Sequence, residues 1–123
     1  MDKFQAIHKF WSSFGIPAFD ENTVPDGEDK PSFPYITYDA VVSDFNHPVA
    51  MSASIWYYGT SWSQITAKLT EIEAELGRGG VTLLCDGGAV WIVKGSPFAQ
   101  RMPDDNDMIR RIFINISAEY LTA

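Results

Sequence analysis

The stretch Ile109-Arg110-Arg111-Ile112-Phe113-Ile114-Asn115-Ile116-Ser117-Ala118-Glu119-Tyr120-Leu121 decides how this 123-residue chain is read. Ile112, Ile114, Ile116, Ala118 and Tyr120 occupy every second position, with Arg111, Phe113, Asn115, Ser117 and Glu119 between them. A period of two sends the two sets to opposite sides of an extended backbone, so the segment predicts a long β-strand with one strongly apolar face. Its length and β-branched content predict a central position in a sheet.

Upstream, Val81–Cys85 and Ala89–Lys94 are apolar runs joined by Asp86-Gly87-Gly88. Asp-Gly tolerates the positive φ of a tight turn, so these runs predict a hairpin. Tyr35–Val42 and Val49–Tyr58 predict two more strands, linked by a hairpin loop at Ser43-Asp44-Phe45-Asn46-His47-Pro48. The segment from Gly95 to Pro103 and the acidic Asp104-Asp105-Asn106-Asp107 read as a connection before the last strand. Two segments switch to helical spacing. Phe4, Ile7, Phe10, Trp11 and Phe14 form one stripe, with Asp2 as N-cap and Gly15 and Pro17 as terminators. Ile65, Leu69, Ile72 and Leu76 form the other, with Ser61 or Ser63 as cap and Gly77 as stop. Residues 20–34 carry five acidic side chains and three prolines and read as an exposed, mobile loop.

The expected order is α-β-β-α-β-β-β. It implies a single α+β domain over residues 1–123, with one mainly antiparallel sheet and two helices packed on one of its faces.

Nine basic against sixteen acidic residues give a formal net charge of −7. That balance argues against sequence-independent binding to phosphate backbones and against anionic membrane surfaces. No run approaches the ~20 apolar residues of a membrane span, and the N-terminus lacks the order of a signal peptide. A cytoplasmic protein is the expectation.

No arrangement with a chemical signature emerges. His8 and His47 stand outside any catalytic motif, and there is no Gly-x-Ser-x-Gly elbow. Asp104–Asp107 lacks the glycine and distant glutamate of a calcium loop. Gly77-Arg78-Gly79-Gly80 follows a helix, whereas a phosphate cradle precedes one. Cys85, the one cysteine, lies in an apolar run and reads as a buried, inert thiol. No catalytic, cofactor or metal residue is assigned. An enzyme whose residues meet only in space would require a deep pocket with perturbed carboxylates.

The aromatic surplus points instead to binding. Two helices cover only one face of a single sheet, so Trp56, Tyr58 and Trp62, gathered near a strand end and a helix start, either cover the edge of the core or are candidates for a protein interface. The Pro97–Asp107 loop adds Phe98, Gln100, Arg101, Met102 and Asp104. Arg110 and Arg111 point to opposite faces. They are candidates for an intersubunit salt bridge, or for pairing locally with the Asp104–Asp107 loop or Glu119.

Several stretches together resemble the tail-terminator and tail-completion proteins of long-tailed bacteriophages. They are the helix Phe4–Phe14, the strand start Phe33-Pro34-Tyr35-Ile36-Thr37-Tyr38 and the passage Ser52–Leu76. The late segment Gly95-Ser96-Pro97-Phe98-Ala99-Gln100-Arg101-Met102-Pro103-Asp104 follows, with Arg110-Arg111-Ile112-Phe113-Ile114-Asn115-Ile116 as the closing strand. The acidic stretch 20–32 has no counterpart in that pattern. The resemblance implies a ring, often hexameric, that caps the tail tube. Its partners would be further copies of itself, the tail-tube protein and the head connector, with no sequence-specific nucleic-acid binding. The protein would be found in the host cytoplasm during assembly and then in the virion. An acidic inhibitor-type module acting on a basic protein is the alternative.

Overall fold

The computed structural model describes residues 1–41 and 47–122. The elements are helix α1 (Lys3–Trp11), strands β1 (Ala18–Asp20), β2 (Tyr35–Tyr38) and β3 (Pro48–Tyr58), helix α2 (Ser63–Leu76), and strands β4 (Val81–Cys85), β5 (Gly88–Met102) and β6 (Ile109–Thr122). All six strands form one sheet in the order β1-β2-β3-β6-β5-β4. Only β1 and β2 run parallel; the other four pairings are antiparallel.

The alternation in β6 does what its spacing requires. Ile112, Ile114, Ile116, Ala118 and Tyr120 are all buried, and the residues between them are half-exposed. Flanked by β3 and β5, β6 is an interior strand, as its composition predicts. Its apolar face joins Met51, Ala53 and Ile55 of β3 and Val90 and Ile92 of β5 in one cluster. Ile7, Phe10 and Trp11 of α1 and Ile65, Ile72 and Leu76 of α2 complete that cluster, so both helices lie on the same face of the sheet.

The helix boundaries have local causes. The Asp2 carboxylate accepts from the Gln5 N–H at 2.8 Å while the Gln5 side chain accepts from the Asp2 N–H, a reciprocal capping box. After α1 the chain tightens into a 3-10 turn over Ser12–Phe14, and Gly15 at φ 80° ends it. Helix α2 begins at Ser63, whose N–H donates to the Ser61 hydroxyl at 3.1 Å. Of the two expected serines Ser61 is the one that accepts, but it lies one residue before the N-cap position, which Trp62 fills without a side-chain bond.

Three expectations are corrected. The acidic connection after α1 contains a strand, because Ala18–Asp20 pairs in parallel with Ile36–Tyr38. Three residues are too few to show a period. The remainder of that connection includes a 3-10 turn at Gly27–Asp29. The segment Gly95–Met102, expected as loop, continues β5 past a register shift between Lys94 and Ala99. Pro97 breaks the ladder, but Ala99–Met102 pair again with Ile114–Arg111. The order is therefore α-β-β-β-α-β-β-β. The expected strand Tyr35–Val42 ends at Tyr38, and most of the expected hairpin loop lies outside the described residues.

Candidate interaction surface

The face of the sheet turned away from the helices carries a row of rings at one end. The register sets Tyr35 beside Trp56, Trp56 beside Arg111, and Arg111 beside Met102. Tyr35 and Trp56 stack with their ring centres 6.1 Å apart and their planes at 19°. The Arg111 guanidinium lies 4.7 Å from the centre of the Trp56 ring and 5.8 Å from that of Phe113. Its Nε donates to the Ser54 hydroxyl at 3.0 Å. The Trp56 indole N–H donates to Thr37 at 2.9 Å. Phe33 bridges Tyr35 and Tyr58, and Phe19 meets Tyr35 edge-on. Tyr58, at the rim, is 54% exposed. Burial, and after it the negative charge of Asp104, raises the Tyr35 hydroxyl above the usual tyrosine range.

A second cluster sits on the helix side of the same end. Arg101 and Arg110 place their guanidinium carbons 4.6 and 5.3 Å from the centre of the Trp62 ring. Arg110 donates to the backbone carbonyls of Asp107 at 2.6 Å and Thr60 at 2.9 Å, tying the β5–β6 turn to the start of α2. An open cleft of about 370 Å³ lies there, lined in part by Trp62, Asp104, Asp107 and Arg110.

The ten candidate interface residues thus do not form one patch. Trp56, Tyr58, Gln100, Met102 and Arg111 lie on the uncovered face, and Trp62, Arg101 and Arg110 on the helix side. Asp104 is at the exposed turn between β5 and β6, and Phe98 packs against the core cluster. Arg110 and Arg111 do point to opposite faces. Neither forms an ion pair with a carboxylate among the described residues, and their cationic groups rest on aromatic rings instead. Trp56 and Trp62 are half-buried within one copy, and the guanidinium groups of Arg111, Arg101 and Arg110 lie over their rings.

His8 Nδ1 lies 2.8 Å from the Tyr38 hydroxyl and His8 Nε2 lies 3.2 Å from that of Ser12, a chain of contacts linking α1 to β2. Cys85 is half-buried and free. No helix among the described residues is long and apolar enough to cross a membrane.

These features define a mixed α/β protein with one six-stranded sheet, a covered face and an open, aromatic-bearing face. No family model matches the chain, and no curated protein matches it. Solved structures share the fold. A chain from the virion of a native gene transfer agent particle superposes with a TM-score of 0.61 at 16% identity, covering 95% of this chain and 90% of that one. A second solved chain, which carries no functional name, gives a TM-score of 0.57 at 12% identity, over 97% of this chain and 90% of that one.

Proposed function

We propose that this chain is a structural subunit of a phage-like virion, a ring-forming tail terminator or tail-completion protein that caps the tail tube and joins it to the head. The observation that carries the reading is the fold shared over nearly the whole of both chains with a component of a gene transfer agent particle. The architecture is consistent with that role. A sheet with one open face and a tip bearing arginines and aromatics offers separate surfaces for a neighbouring subunit and for the tube. The net charge of −7 suits a ring through which DNA passes without being gripped. The work is binding, not catalysis, and the partners are further copies of the chain, the tube protein and the head connector.

Sedimentation and electron microscopy of the purified chain, alone at rising concentration and with a phage tail-tube protein, test this reading. Rings, or caps on tube ends, are expected. A chain that stays monomeric in both settings contradicts the proposal. A one-to-one complex with a basic protein, without rings, favours the inhibitor-type alternative.

A further inference from the structure

The two edges of the sheet differ. β1 is three residues long and runs into the acidic connection. β4 is five residues, Val-Thr-Leu-Leu-Cys, with no charge and no proline. Those are the devices that ordinarily keep an edge from pairing. Leu84, the fourth residue of this edge, is 79% exposed.

Backbone hydrogen bonds at the strand ends fix which groups are free. The Ile36 N–H donates to the Pro17 carbonyl, Asp39 N–H to Ser52, and Gly59 N–H to Met108. Residues along a strand alternate in the neighbour they bond. Carried through the registers from β2 to β3, β6, β5 and β4, the alternation makes Val81, Leu83 and Cys85 the partners of β5. Thr82 and Leu84 therefore turn N–H and C=O away from the sheet. The next residue in that series, Asp86, donates its N–H outward to the Met1 carbonyl at 2.7 Å.

We infer that β4 is a self-complementary seam at which a second copy of this chain adds its own β4, antiparallel, about a two-fold axis through Leu83. Thr82 of each copy then exchanges two backbone bonds with Leu84 of the other, so all four outward N–H and C=O pairs are used. The side chains agree with that register. Leu84 and Thr82 lie on the open face, and Thr82 is flanked on its own sheet by Trp91, which is 40% exposed. The second copy's Leu84 would sit beside Thr82 and cover this apolar strip. The Asp86 carboxylate pairs with the Met1 ammonium of its own chain at 3.0 Å yet stays 80% exposed at its side chain. In this register it lies near Gly80 of the other copy, two residues from that copy's exposed Arg78, so a second, opposite charge faces it at both ends. A ring requires a head-to-tail contact. The seam is a different surface and stands independently of the ring proposal.

The seam is tested on the full chain by native mass spectrometry and sedimentation up to millimolar concentration. The wild type is expected to pair two by two, as free dimers or as paired rings, and Leu84→Lys to lose that pairing with an unchanged circular dichroism spectrum, since the side chain is exposed. Arg78→Asp should weaken the dimer, and the swap Arg78→Asp with Asp86→Arg should restore it. Val81 and Cys85 face each other across the axis as a non-hydrogen-bonded pair, the closer kind. Val81→Cys should therefore form a disulfide-linked dimer through the native Cys85 on mild oxidation. A wild type that is monomeric throughout overturns the inference. So does a Leu84→Lys variant that keeps the two-fold pairing of the wild type; a variant that loses the pairing and still forms rings supports the seam and leaves the ring proposal intact.

Discussion

Replacing Arg111 by alanine should destabilise the fold far more than an ordinary surface substitution. Three contacts are lost together. The guanidinium Nε no longer donates to Ser54, a residue only 4% exposed, whose hydroxyl is left without that partner. A charge-assisted bond of this kind contributes about 1.5–3 kcal/mol. The cationic contacts to Trp56 and Phe113 add about 0.5–1 kcal/mol each where partly exposed. Because the terms overlap, the expected loss is about 2–4 kcal/mol. Urea unfolding with an unchanged m-value reads it directly. Ser54→Ala combined with Arg111→Ala should cost about 1 kcal/mol less than the sum of the single changes, because the double variant leaves no orphaned hydroxyl. A single-variant loss below about 0.5 kcal/mol would refute the account and return Arg111 to the status of an exposed charge.

Three further outcomes are expected. Burial, with electrostatic effects of Cys85 and Asp39 behind it, pushes the Tyr120 hydroxyl up to about 12. The unfolded group titrates near ~10. The native state thus holds its proton longer, and stability that is complete below the unfolded value is lost as pH rises toward the folded one. Alkaline unfolding curves should show this slope, and Tyr120→Phe should flatten it. Gly88→Ala should cost about 3 kcal/mol or more, because the added carbon would lie 1.8 Å from the Leu121 carbonyl oxygen, whereas Gly79→Ala, with open space around it, should stay within about 0.5 kcal/mol in thermal melts. Asp2→Ala removes the capping box of α1 and should cost about 1 kcal/mol by the same measurement.

The chain's own pattern determined the elements with a strong period. The alternation in Ile109–Leu121, the stripes Ile65–Leu76 and Phe4–Phe14, and the Asp86-Gly87 turn each carry their geometry locally, because burial of one face demands one spacing. β1 and the outer half of β5 were not legible in that way. Ala18–Asp20 is too short for a period, and it becomes a strand only because Ile36–Tyr38 is there to pair with it. Ala99–Met102 follows a proline and a glycine that read as a stop, and the ladder to Ile114–Arg111 resumes past them.

The candidate surface divides along the same line. Composition shows a surplus of aromatics near Trp56 and Trp62, and strand parity sends Arg110 and Arg111 to opposite faces. Only the assembled sheet decides that Arg111 lies on Trp56 and Arg110 on Trp62, since those pairs lie about fifty residues apart and are set by the β3–β6 register. The sheet order likewise decides which strands are edges. Nothing within Val81–Cys85 marks it as one, because an edge is defined by the neighbour a strand lacks, which is a property of the whole sheet and not of its own residues.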